Sequence, residues 1–598
     1  SLFAAMGVVD TAAAILLLVL CLASPVAAQY STVLHTSPTG SGPNCTEAAP
    51  CSLLTACGLA EEGCLISTLP ASYRLGNESC VIQVANVTIQ ATSAVSIIEG
   101  TRSLFVFQQA PFSLSGLDLL DDAREPYGKS LVDATNLVLE EGQSYVVSLE
   151  SINGYVENTN GLLGLSVDYS SPNASLAVNI RDTVSPPPTG GVVNYFEVIS
   201  YSPDVAVSVS IKDCTFDRLS TPVLFFWTSI NGMLELVNVE VTNFSASYIV
   251  YLASANSITG GPCNIDGLTL DAVRTSSSLV DLELCSTAVI RNVQISNSTT
   301  STNVFDIANY FKGSSSSVYV ANVSLTDSDV DYRVFSLFGD TGVVAEVRNV
   351  SISGGKYASL VYAESGNATV TDIVMDGIEA TNAELTLVST TESSLYLSNF
   401  DIEDCTQADS TPFVSLLSPR EAVLYDGSFT QCEAMQFISI QIINDEPSTT
   451  NITNVDFDAA GSVSAFIVAV PSYDVENEDA RLLVTDCSFT GGDDIDHIVE
   501  CPYNGVDDDY LLDVIVTDSV CDVDSVILRR GEAYNGEYCN FDVDSSSNCS
   551  QAGRKWILSA VIILVAGCIL CVVVAVVLAV VVAKRRKRMD YDSINASD

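Results

Sequence analysis

Through most of the chain the apolar positions recur in one short pattern: apolar, any residue, Asn/Asp/Gly, apolar, any residue, apolar. The strings read IKDCTF, LVNVEV, IDGLTL, IRNVQI, VANVSL, VRNVSI, VTDIVM, LSNFDI, LYDGSF, ITNVDF and VTDCSF. Their third positions are Asp213, Asn238, Gly267, Asn292, Asn322, Asn349, Asp372, Asn399, Asp426, Asn454 and Asp486. Successive intervals run from 23 to 32 residues and average about 27, a period that belongs to stacked repeats. Two upstream strings, VANVTI at Asn86 and LSGLDL at Gly116, fit the same pattern, whereas residues 149–205 fit it poorly.

The third position holds only residue types that tolerate a left-handed backbone, which predicts a tight corner there. On either side, apolar and polar residues alternate at the period of a strand. A two-residue bend then keeps Leu236, Val239 and Val241 all facing inward. Strands this short cannot bury an apolar face alone, but coils stacked on one another can. The expected fold is therefore all-β, a parallel β-helix solenoid with coils over residues 86–500. A Cys-rich cap over 29–85 and a Cys-containing cap and stalk over 501–553 flank it. Leucine-rich repeats would need a Leu-rich consensus, and propeller blades are longer with other signatures.

The corner column resembles the asparagine ladder of right-handed parallel β-helices of the pectin-lyase-like superfamily, with Asn238, Asn292, Asn322, Asn349, Asn399 and Asn454 as its rungs. The head segment HTSPTGSGPNCTEAAPCSLLTACGLA resembles the opening strand, Cys-bounded loop and cap helix of many surface β-helix proteins. The resemblance covers roughly residues 30 to 545 and implies a fold without an activity. Stacking at about 4.8 Å per coil predicts a rod of about 50 Å for the eleven clear coils, or about 70–80 Å with further upstream coils. Cys405 and Cys432 each follow their corner residue by six positions, which predicts a disulfide between adjacent coils.

Two longer apolar runs stand outside this pattern. Residues 12–22 lead into Ser24-Pro25-Val26-Ala27-Ala28, the signature of a signal peptide cut after Ala28, with Met6 as a possible initiator. Residues 556–583 carry no charge and would extend about 42 Å as a helix, enough to span a bilayer. The basic run Lys584-Arg585-Arg586-Lys587-Arg588 follows, and Trp556 sits where an interfacial anchor belongs. Together they predict a type I protein of the plasma or endolysosomal membrane with a cytoplasmic tail over 584–598. Gly567, Cys571, Ala575, Ala579 and Ala583 line one helix stripe, through which a homodimer could form. In the tail, Tyr591 and Ile594 resemble a tyrosine-based sorting signal read by clathrin adaptors. A tyrosine phosphorylation site is the alternative.

Net charge changes the choice of partners. At −49, the chain lacks the clustered basic side chains that nucleic acid requires. Calcium could be drawn to such acidity, but no pattern supports a site for it, and no cofactor is expected. Eleven Asn-x-Ser/Thr sequons precede the apolar run, a density that fits a secreted glycoprotein. The favoured glycan carriers are Asn243, Asn297, Asn173 and Asn367. Asn86, Asn322 and Asn349 are expected to be bare, since an inward corner side chain cannot carry glycan. Fifteen cysteines lie in the same compartment, concentrated at its two ends, and read as mostly disulfides.

Catalytic candidates are sparse. Asp493 and Asp494 in TGGDDIDH, with His497, resemble one element of polygalacturonases, where paired carboxylates cleave the glycosidic bond. The family's Asn-Thr-Asp, Gly-His-Gly and Arg-x-Lys elements are missing around them. An acidic surface loop is the simpler account. The leading expectation is a non-enzymatic adhesin or receptor for an extracellular glycan or protein. A membrane-tethered polysaccharide lyase or glycoside hydrolase and a structural coat protein are the alternatives. A groove gathering three or more carboxylates with Arg or Lys would favour the enzyme.

Overall fold

The computed structural model describes residues 30–547 apart from internal segments, among them 123–128, 254–260, 310–316, 472–479, 492–494, 502–511 and 531–538. The described chain divides after Ala206 into two compact units, each a parallel β-solenoid.

In the first unit, strand Thr32–Thr36 pairs in parallel with Cys64–Thr68, which pairs in turn with Val87–Ala91. Helix Leu53–Leu59 lies between the first two and buries Leu53, Ala56 and Cys57. Ser52 caps its start, its Oγ accepting from the Thr55 amide at 3.1 Å, which satisfies one of the free amides of a helix N-terminus. Disulfides Cys45–Cys51 and Cys57–Cys80 close the loop and pin the helix. The head thus has the strand, loop and helix that the resemblance implied.

Residues 149–205, which fit the repeat poorly, form coils all the same. Ser151 (φ 54°) and Asp182 (φ 49°) occupy the corner column of Gly116 (φ 67°). The pattern was obscured because Ser stands at one corner and Thr183, fully buried, takes the apolar place after the other. Asn86 is also left-handed (φ 59°), but Val87 pairs with Phe112, so Asn86 opens its strand and stands outside the Gly116 column.

In the second unit every expected corner from Asp213 to Asp486 is left-handed, with φ between 50° and 77°. Asp518 (φ 50°) adds another, because Thr485 pairs with Thr517. Leu236, Val239 and Val241 face inward as the two-residue bend requires, each at most 1% exposed. The corner side chains do not. A left-handed residue between two inward neighbours turns its own Cβ outward, so the ladder runs along the outer surface. Asn238 Nδ2 donates to Asp213 Oδ1 (2.9 Å), Asn292 to Asp266 (2.6 Å), Asn322 to Asn292 (3.0 Å), Asn349 to Asn322 (2.7 Å) and Asn399 to Asp372 (3.2 Å). Asn454 likewise donates to Asp426. The expectation of an inward ladder is corrected accordingly.

Five residues after the first corner comes a second, at Arg218, Asn243, Ala272, Asn297, Asp327, Gly354, Gly377, Asp404 and Gln431, all with φ between 47° and 63°. Inside, Phe429 stacks on Phe457 (5.4 Å) with Phe400 tilted against it (5.3 Å), and Phe457 stacks on Phe489 at 4.9 Å. Cys405 and Cys432 follow the second corner, buried and one coil apart in register, as the bridge from Thr406 to Glu433 shows. They stand there as thiols in mutual contact, which draws the Cys405 pKa down and pushes that of Cys432 up. A disulfide not foreseen, Cys263–Cys285, closes one coil, and Cys501 and Cys521 are also disulfide-bonded.

Candidate functional site

After the second corner each coil of the second unit forms a further short strand. Parallel register stacks Phe226 on Tyr251, Asp281, Asp306, Ser336 and Tyr362 in one outward column. Inward neighbours fix its direction: Val280, Phe305 and Phe335 form an adjoining buried column, with the two rings stacked at 5.5 Å. Two carboxylates therefore stand on adjacent strands, about 4.8 Å apart by backbone spacing.

Their surroundings are unlike those of a solvated acidic face. Asp281 is only 8% exposed, and its pKa is pushed up to about 8 by burial, then by the charges of Asp306 and Glu283. Burial also raises Asp306, against the hydrogen bonds of Asn303 and Ser336 and the charge of Arg333, which favour its ionised form. Asn303 Nδ2 donates to Asp306 Oδ2 at 3.0 Å. The Asn303 and Asp306 Oδ1 atoms are buried without a hydrogen-bond partner among the described residues. Arg333 lies with its guanidinium 3.5 Å from the Tyr362 ring centre and 4.3 Å from that of Tyr332, its Nη1 reaching Ser336 Oγ at 3.5 Å. On the other side, Tyr248 and Tyr251 stack at 4.7 Å, with Phe226 5.6 Å from Tyr251. Nearby carboxylates and burial raise the Tyr251 hydroxyl, burial leading.

The column thus presents half-buried aromatic rings, clustered carboxylates and one guanidinium. Such a surface can stack on the apolar face of a sugar and accept hydrogen bonds from its hydroxyls. Among the described residues no group of three or more His, Cys, Asp or Glu is arranged to hold a metal ion.

None of these residues was among the sequence candidates. Asp281 and Asp306 lie in separate strings, SSLVDLELC and TNVFDIANY, and only the fold brings them together. A signal existed: each follows its own corner residue, Gly267 or Asn292, by 14 positions, as Ser336 follows Asn322. The candidates Asp493 and Asp494 lie outside the described residues, and His497 is placed by its backbone in strand Ile495–Cys501, paired with Ala465. Tyr591, Ile594 and the two long apolar runs lie outside them as well. Among the described residues no helix is long and apolar enough to cross a membrane.

The favoured glycan carriers all lie on the surface. Asn243 and Asn297, however, occupy the second corner, where their Nδ2 atoms donate to Asp217 Oδ1 (3.1 Å) and Asp271 Oδ1 (2.9 Å). Asn173 and Asn367 are exposed with no side-chain hydrogen bond among the described residues.

No known protein family matches the chain, and no curated protein does. Among solved structures, the chain is similar to the A-module of the Azotobacter vinelandii mannuronan C-5 epimerase AlgE6, with 10% identity over 81% of this chain and 96% of that one, and a TM-score of 0.17. It is also similar to the PL6 family alginate lyase AlyGC, with 10% identity over 86% and 99% of the two chains and a TM-score of 0.15. At these scores neither neighbour bears on activity. The solenoid rests on its own register and corner geometry.

Proposed function

We propose that this chain is a single-pass type I surface glycoprotein whose second solenoid unit recognises an extracellular glycan through the column from Phe226 to Tyr362. The observation that carries the reading is that column, in which stacked aromatic rings flank Asp281, Asp306 and Arg333. Aromatic rings beside hydrogen-bonding groups supply what sugar rings need: an apolar face to stack on and partners for hydroxyls. The leader, the span over 556–583 and the basic stop support secretion and anchoring to the plasma or endolysosomal membrane. Tyr591 and Ile594 support adaptor-mediated sorting, and the small-residue stripe supports pairing of the span. Asn173 and Asn367, exposed and without a side-chain hydrogen bond among the described residues, are the favoured glycan carriers.

A second reading is favoured by the same cluster. Asp281 keeping a proton beside an Asp306 supported by Asn303, Ser336 and Arg333 has the division of roles of a glycoside hydrolase pair. A lyase fits less well, since among the described residues Asp281, Asp306 and Glu283 stand against the guanidinium of Arg333, a balance that repels the uronic acids on which such enzymes act.

Both readings are tested by probing the secreted chain against an array of neutral, amino and acidic oligosaccharides while assaying for new reducing ends. Binding without cleavage, weakened at least about tenfold in Tyr251→Ala, is expected. Reducing ends that vanish in Asp306→Asn would establish the hydrolase instead. An array with no bound sugar would defeat both.

A further inference from the structure

The acceptors of this column carry more than a general affinity for sugars. Asn303 is 6% exposed, and the bond from its Nδ2 to Asp306 Oδ2 aims its amide into the carboxylate pair. Its own Oδ1 and the Oδ1 of Asp306 are left buried with no donor among the described residues, an arrangement that costs about 1–3 kcal/mol per group unless a partner arrives. The unmet demand is thus for N–H or O–H groups. Among the described residues, the charges of Asp306 and Glu283 bear on Asp281, while Arg333 is laid over Tyr362.

We infer that Asp281, Asp306 and Asn303 receive a primary ammonium group, presented by an amino sugar of the glycan. The inference rests on the glycan reading and sharpens it. An ammonium brings three donors and one positive charge in a compact head, matching the two orphaned acceptors and the excess of carboxylate. Tyr251 adjoins Asp281 in the column, with Tyr248 stacked on its ring. An N-acetylated sugar brings one N–H and no charge, and a uronic acid brings the wrong charge.

Binding should also move a proton. The groups facing Asp281 are Tyr248 and Tyr251 from the preceding coil, Glu283 on its own strand, Asp306 from the next, and Arg333 with Tyr362 beyond. Without ligand, burial pushes the Asp281 pKa up to about 8, which favours its protonated form at pH 7. An ammonium favours the ionised form, so the O–H bond of Asp281 breaks and its proton passes to buffer as the charged hydrogen bond forms.

The test is calorimetric titration of the full-length chain in detergent micelles at pH 7 with a glucosamine tetramer and with its N-acetylated counterpart. Each titration is run in two buffers of different ionisation heat. The glucosamine tetramer is expected to bind at least about tenfold more tightly and to release protons. Asp306→Asn and Asn303→Ala should each abolish that preference, by lowering the affinity for the glucosamine tetramer to that for the N-acetylated one. A melting temperature within a few degrees of the parent for either variant shows that it is folded. Equal affinity for both tetramers would overturn the ammonium inference and leave the glycan reading standing. Binding of neither would overturn both. Calcium binding lost in Asp306→Asn, without glucosamine binding, would reassign the acceptors to a divalent cation. Absence of any ligand-linked proton release would mean that Asp281 and Asp306 simply share their proton, and would also overturn the inference.

Discussion

Two residues show how single side chains set the balance in this chain. Asn349 holds a left-handed corner (φ 52°) and donates to Asn322 at 2.7 Å. Alanine there both strains the backbone and loses the bond, whereas glycine loses the bond alone. Asn349→Ala is expected to cost about 2–3 kcal/mol and Asn349→Gly about 1 kcal/mol less, read as the order of their urea midpoints. Equal midpoints would mean that the corner is not strained. Asp281 acts in the opposite sense. Its folded-state pKa is raised to about 8, so between the ordinary carboxylate range and about 8 the folded chain binds more protons than the unfolded one. The stability this provides is complete below that window and is lost as pH rises through it. Asp281→Asn should therefore stabilise the protein at pH 9, by a few kcal/mol in order of magnitude, and flatten the decline between pH 6 and 9 in thermal melts.

At the scale of the element, the sheet period and the first corner were legible, and the second corner was not. Position three of the repeat admits only Asn, Asp or Gly in the strings that define it. The second corner instead tolerates Arg218, Ala272 and Gln431, so composition does not mark it. It holds its conformation through the flanking ladder bonds, as where Asp271 accepts from both Ser296 (2.6 Å) and Asn297 (2.9 Å). The functional column was unreadable for a related reason: its members come from different coils, and nothing in one string announces the next. The phenylalanine stack tests the packing directly. Phe457 is fully buried between Phe429 and Phe489, and Phe457→Ala should cost about 3–5 kcal/mol by leaving a cavity. Because each coil contacts mainly its neighbours, amide exchange should accelerate first in the strands around 429–489. The same register places Cys405 against Cys432. We propose that a disulfide oxidant of the secretory route takes two electrons and two protons from this pair and joins the sulfurs. Peptide mapping without reductant is expected to recover the cross-link, and two separately alkylated cysteines would refute it.

For the whole molecule, charge decides the conditions under which the fold is most stable. With 73 acidic against 24 basic residues, ionised carboxylates repel one another throughout the neutral range. Raising salt from about 0.01 to 0.15 M shortens the screening length from about 30 to 8 Å and should raise the melting temperature of the full-length chain in micelles. Mild acid acts in the same direction, because it removes charge and protonates Asp281 and Asp306, whose folded-state pKa values are raised. Stronger acid reverses it. The pKa of Asp217 is lowered chiefly by Asn243, and that of Asp271 by Ser296 and Asn297, so both remain ionised to below the ordinary carboxylate range. The stability they contribute is present above that range and lost as pH falls through their folded-state pKa values. The two trends place the stability maximum in mild acid, about pH 4.5 to 6, where the corner carboxylates still accept hydrogen bonds and Asp281 is neutral. Such a maximum would suit an endolysosomal membrane, the compartment that the Tyr591 and Ile594 signal would serve. Melting curves from pH 3 to 9 at fixed ionic strength decide the matter: a melting temperature that climbs steadily to pH 8 would show that the buried carboxylates are not protonated in the folded state.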